Sequence, residues 1–185
     1  KPHPYLIGQI RIDKNSLDFP DVQAGEKPVM HIGVVNLSDR PYEPVLMHLP
    51  PYLQTEVKPN VLQKGEKGVI TVTLDSERLT DFGLTQSSVY LARFAGDKVG
   101  DENEIPVSAI LLPDFSGMSD TEKANAPVVN LSIKDIDMST ALAKKSKARQ
   151  DIVITNTGRS PLQISKLQVF HPAVGAGLKK SVLKP

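Results

Sequence analysis

From Leu6 to Asp114 the chain alternates apolar and polar positions in short runs, and turn-forming residues interrupt the runs at intervals of about eight to twelve positions. That spacing predicts an antiparallel sandwich. Seven strands are expected: Ile7 to Asp13, Pro28 to Asn36, Pro44 to Leu49, Leu53 to Lys58, Val69 to Leu74, Gln86 to Phe94 and Glu104 to Leu112. The alternation is clearest where Val69, Thr71 and Thr73 interleave with Ile70, Val72 and Leu74, the pattern of a strand with one face in a core and one in water. Between runs lie Asn36 to Pro41, Lys64 to Gly68 and Gly96 to Lys98, rich in residues that accept turn geometry. Pro50-Pro51 blocks helix and central strand alike, because neither proline donates a backbone hydrogen bond. Helical periodicity is confined to Ser76 to Phe82 and Thr140 to Ala148.

Ser116 to Ala126 holds no aromatic and almost no aliphatic residue, so residues 116–126 read as a linker between a domain at 1–115 and a second one at 127–185. The strand pattern restarts at Val128, and it restarts like the beginning of the chain. Ile10-Arg11-Ile12 and Leu17-Asp18-Phe19 fall on Val129-Asn130-Leu131 and Ile136-Asp137-Met138 at an offset of 119. Val34-Val35-Asn36 to Pro41 fall on Ile154-Thr155-Asn156 to Pro161 at an offset of 120, and Val61-Leu62 fall on Val182-Leu183 at 121. In each copy an Asn enters a turn that a Pro closes before the next strand. The second copy holds only the first part of the pattern, so it is expected to be completed by residues after Pro185 or by self-association, with strands of another copy covering its open face.

Leu17 to Glu26, the apolar run into Asn36 and Pro41, Gly65 to Thr73, and then Val153 to Ile164 with its Asn156-Thr157-Gly158, together resemble the Hydin-like immunoglobulin-fold domains, which occur in tandem on exported bacterial proteins of unknown function. The resemblance spans most of the chain outside the linker. It implies an all-β, immunoglobulin-like antiparallel β-sandwich followed by a second, incomplete copy, and no shared catalytic residues. Two departures stand out: the cysteine pair common after the third strand is missing, and Pro20 stands where glycine is usual.

Composition adds exclusions. The chain has no cysteine, which removes disulfides, thiolate metal sites and cysteine nucleophiles. No apolar run approaches the roughly 20 residues of a membrane-spanning helix. The chain opens on Lys1 without an initiator Met, so either an export signal has been cleaved or the start has been trimmed; with the exported proteins that carry the domains it resembles, a periplasmic or cell-surface protein whose signal sequence has been removed is expected. Twenty-two basic and 21 acidic residues give a net charge of +1, yet the balance is uneven. Residues 1–115 carry 11 basic and 16 acidic side chains, a balance of −5, and residues 116–185 carry 11 and 5, a balance of +6.

His3, His31, His48 and His171 lie apart, with no second ligand at metal spacing, so neither a metal site nor a catalytic site is expected, and no cofactor is called for. Asp97, Asp101, Glu102 and Glu104 read as a solvated turn, as do Asp13, Asp18 and Asp21, because the spacings match no calcium loop. Lys144, Lys145, Lys147 and Arg149 form a basic segment with no aromatic beside it to stack on bases, which speaks against nucleic acid. Those four residues, with Tyr42 and Tyr52 as candidate exposed aromatics, are the candidates for partner binding, the partner being a protein or a glycan, although the favoured reading of the two tyrosines is packing at the end of the sandwich as turn anchors. The sum is a non-enzymatic structural or protein-interaction module, the alternative being a carbohydrate-binding or adhesive surface domain.

Overall fold

The computed structural model describes residues 2–185 and divides into two compact units, one ending at Asp114 and one running from Phe115 to Pro185. In the first unit, strands β1 (Tyr5–Ile7), β2 (Ile10–Ile12), β4 (Val29–Asn36), β7 (Lys67–Leu74) and β6 (Leu53–Lys58) form a five-stranded antiparallel sheet in that spatial order. A second sheet is ordered β3 (Leu17–Asp18), β9 (Glu104–Leu111), β8 (Gly83–Ala92), β5 (Val45–Met47), with β3 running parallel to β9 and the rest antiparallel. Ile12, Ile32, Val34, Ile70 and Val72 of the first sheet meet Leu17, Val89, Leu91, Ile105 and Val107 of the second in one buried apolar cluster. The architecture is an immunoglobulin-like β-sandwich.

Local chemistry explains the elements. In β7 the inward Ile70, Val72 and Leu74 are fully buried, whereas Val69 and the two threonines reach the surface. The turns leading into β4 and β7 share one device. In Gln23-Ala24-Gly25-Glu26 and in Gln63-Lys64-Gly65-Glu66 the glutamate carboxylate accepts from the glutamine N–H, at 3.0 and 2.8 Å, and the glutamate N–H returns to the glutamine carbonyl. Both glycines sit in the left-handed region, at φ +95° and +75°, which a Cβ would disfavour.

Three elements differ from the sequence reading. Ile7 to Asp13 is a hairpin of two strands rather than one strand, because Gly8 at φ +57° reverses the chain. The two-residue strand β3 is too short to leave a periodic signal. Within 116–126 a short helix, α1 (Asp120–Asn125), is closed by a capping box in which the Ser119 hydroxyl accepts from Glu122 N–H and the Glu122 carboxylate accepts from Ser119 N–H. The Ser-x-x-Glu pattern is its sequence signal.

The second unit is sparser. Beyond α1 it holds β10 (Val129–Leu131) paired with β11 (Ile154–Asn156), a short helix α2 (Ser139–Leu142), and β12 (Leu162–Gln163) paired with β13 (Val182–Leu183). Each pair is a two-stranded sheet among the described residues.

Candidate interaction surface

Asn36, fully buried at the end of β4, donates through its side-chain amide to the carbonyls of Arg40 at 2.7 Å and Leu62 at 2.8 Å, while its Oδ1 accepts from Ser38 N–H at 2.8 Å. The amide thus ties three stretches of backbone together. Asn156, buried at the end of β11, donates to the carbonyls of Ser160 at 2.8 Å and Leu183 at 3.1 Å, and its Oδ1 accepts from Gly158 N–H at 3.0 Å.

Much of the hydrogen bonding around the two asparagines matches, although Val128 N–H also donates to Asn156 Oδ1, at 3.2 Å. Asp13 N–H donates to the Gly33 carbonyl at 3.1 Å and the Asp13 carboxylate accepts from Gly33 N–H at 2.8 Å; Ser132 N–H donates to the Val153 carbonyl at 2.9 Å and the Ser132 hydroxyl accepts from Val153 N–H at 2.8 Å. Ile10 pairs with Asn36 and Ile12 with Val34 in the first unit, as Val129 pairs with Asn156 and Leu131 with Ile154 in the second. Gly158 lies where Ser38 lies, but here the backbone comes closer: a Cβ on Gly158 would stand 2.3 Å from the Ala126 carbonyl oxygen. The difference between the units is the far side of the strand. β4 has β7 on that side, whereas β11 has no partner strand there among the described residues. Ile152 and Val153, just before β11, are exposed.

The basic segment follows α2. Lys144, Lys145, Lys147 and Arg149 are all exposed, and Arg149 lies 3.4 Å from Asp151. The tyrosines pack into the sandwich and do not serve as exposed partner-binding aromatics. Tyr42 and Tyr52 are buried, Tyr42 donating to the Gln9 amide oxygen at 3.0 Å and Tyr52 bonded to the Ser87 hydroxyl at 2.6 Å. Each ring contributes apolar area to the sandwich and each hydroxyl finds a polar partner, so neither offers a free ring face to a sugar.

Of the acidic stretch, Asp101 and Glu102 are exposed, but Asp97 is buried. Arg93 grips it with Nε at 2.8 Å and Nη2 at 2.7 Å, and Arg93 N–H donates to it as well. These bonds outweigh desolvation and hold the Asp97 carboxyl down to about 2. Asp97 is therefore the brace of the β8 to β9 connection rather than a solvated turn residue, a pairing that its four-residue distance from Arg93 could have signalled. A shallow depression of about 410 Å³ on the second sheet is lined by Asp18, Gln86, Ser88, Glu104, Pro106 and Ser108. Hydrogen bonds from Ser108 and Ser16 lower the Asp18 pKa, and Glu104 accepts from Ser88. His31 is exposed on β4 with Thr71 3.2 Å from its ring nitrogen, and His48 stacks edge-on against Tyr90. Among the described residues no three His, Asp or Glu side chains gather as a metal site, and no helix is long and apolar enough to cross a membrane.

No family model and no curated protein sequence matches the chain. Among solved structures, a protein of unknown function from Porphyromonas gingivalis W83 is 20% identical and superposes with a TM-score of 0.66, over 96% of this chain and 79% of that one. The PapD-like domain 7 of human CEP192 covers 62% of this chain and 93% of its own at 11% identity and a TM-score of 0.39. The CupB2 chaperone of Pseudomonas aeruginosa covers 94% and 83% at 10% identity and a TM-score of 0.35. At 20% identity the likeness to the Porphyromonas gingivalis protein concerns the fold alone.

Proposed function

We propose that this chain is a non-enzymatic protein-interaction or structural module of an exported bacterial protein, made of one whole immunoglobulin-like domain and the opening part of a second copy, as in the Hydin-like tandem domains. The observation that carries the two-copy reading is the pair of buried asparagines, Asn36 and Asn156, each bonded to the residue four positions on and to a leucine, Leu62 or Leu183. The interaction reading is supported by an exposed basic segment, an edge of β11 with no partner strand among the described residues and a charge balance of −5 in the first unit against +6 in the second. Such surfaces contact other macromolecules through sheet edges and charge complementarity.

A photo-crosslinking residue at Lys145, in the protein expressed in its host, tests this reading. A discrete protein adduct that disappears when Lys144, Lys147 and Arg149 are changed to Glu is expected. Its absence from the cell envelope fraction would remove the exported assignment, and adducts insensitive to the charge change would remove this segment as the contact. A carbohydrate-binding function has less support, since Tyr42 and Tyr52 are buried; binding on a broad glycan array would restore it.

A further inference from the structure

The two sheets of the first unit differ in charge. Strands β1, β2, β4, β6 and β7 carry Arg11, Lys58 and Lys67 against Glu56, whereas β3, β5, β8 and β9 contain no lysine or arginine. Leu17, Val89, Ile105 and Val107 of the second sheet point into the core, so their neighbours Asp18, Ser88, Glu104, Pro106 and Ser108 point outward. Asp101 and Glu102 stand in the turn that leads into β9. All four carboxylates, Asp18, Asp101, Glu102 and Glu104, are exposed. Serine hydroxyls hold the two strand carboxylates in place: Ser16 and Ser108 donate to Asp18 at 2.9 and 2.7 Å, and Ser88 donates to Glu104. Negative charge is thus set out on the outer face of one sheet, around the shallow depression that these residues line.

We infer that this outer face docks the basic segment Lys144 to Arg149 of a second copy of the chain. Three observations name this occupant. The segment supplies the opposite charge, since Lys144, Lys145, Lys147 and Arg149 are all exposed and the second unit's balance is +6 against −5 in the first. The spans agree as well. Glu104 and Ser108, beside which Asp18 stands, are four positions apart on β9, about 13 Å in a strand, and Lys145 and Arg149 are also four apart, so an extended segment reaches both carboxylates. Finally, the exposure of the segment belongs to its place in the fold. At the offset of 120 it falls on Ala24 to Val29, and in the first unit, where both sheets are present, Ala24, Gly25, Glu26, Lys27 and Val29 are exposed. Face and segment lie on different units, so the pairing is head-to-tail: each copy offers its face to one neighbour and its segment to another. The inference rests on the interaction reading above and names the partner of its basic segment.

Sedimentation velocity of the full chain tests it. Expected is a mass that rises with protein concentration, and an association weakened about tenfold or more between about 0.05 and about 0.5 M salt, because exposed charges are screened. Glu102→Lys with Glu104→Lys is expected to weaken association by about tenfold or more, and Lys145→Glu with Lys147→Glu to do the same. A chain carrying all four changes is expected to regain it, because face and segment have then exchanged sign. Every substituted side chain is exposed, and recovery by the four-change chain shows that the fold has survived. Glu56→Lys with Glu77→Lys, exposed positions outside this face, alters net charge equally and is expected to leave association unchanged. A chain that stays monomeric at every salt concentration overturns the inference, as does association that the paired changes leave intact or that the four-change chain does not recover. An adduct from Lys145 to a different protein, with this chain monomeric, removes the second copy as occupant and leaves the interaction reading standing; the absence of both adduct and association removes the two together.

Discussion

Asn36 and Asn156 earn their burial by serving several backbone groups at once, and removing either amide is costly for a specific reason. With Asn36→Ala the N–H of Ser38, itself buried, loses its acceptor, and the bonds to Arg40 and Leu62 vanish. Stranding one buried donor costs about 1–3 kcal/mol, so chemical denaturation of Asn36→Ala is expected to show a loss of at least that order. Gly158 makes a sharper residue-scale case. A methyl group 2.3 Å from the Ala126 oxygen forces the backbone apart, so Gly158→Ala is expected to speed exchange at Thr157 and Val153, whereas Gly117→Ala, with open space around it, leaves exchange unchanged. Asp97 supplies the pH dependence. Its folded pKa, about 2, lies below its ordinary value of 3.8, so its ionised form favours the folded state. That contribution is complete above about pH 4 and is lost as pH falls toward 2. Unfolding measured in steps across this window is expected to show a fall in stability that Asp97→Asn largely abolishes.

At the scale of elements, the alternation of Val69 to Leu74 marked β7 with one face buried, and the register of β4 against β7 places Ile32 opposite Ile70 in the middle of the core. Truncating the fully buried Ile70 to Ala is expected to cost about 2–5 kcal/mol, read from the denaturant midpoint, while Thr71→Ala on the outward face shifts it little. Strand periods were legible because each strand there has one face in water and one in the core. The β1 to β2 hairpin was not, since Leu6, Ile7 and Ile10 keep an apolar rhythm across the turn that Gly8 makes. Nor was β3, whose existence depends on β9 lying beside it, about ninety positions away in sequence. Helix α1 was missed because its composition resembles a linker, although Ser119 and Glu122 carried a capping pattern.

Across the whole molecule, the near-neutral total hides a first unit of −5 and a second of +6. The first unit holds the buried apolar cluster, so a chain cut after Asp114 is expected to unfold in one cooperative transition by circular dichroism; a gradual, non-cooperative loss of signal would show that its core depends on residues beyond the cut. The all-β class, the positions of the main strands and the correspondence of Asn36 with Asn156 were all determined by the order of residues, because period-two alternation and turn chemistry are local properties. Tertiary structure alone decided that Arg93 draws Asp97 out of water and that Gly158 lies against the backbone of Ala126. Each of these depends on which distant backbone and side chains come to lie alongside, and burial and pairing of that kind are set by the packing of sheets rather than by any short run of sequence.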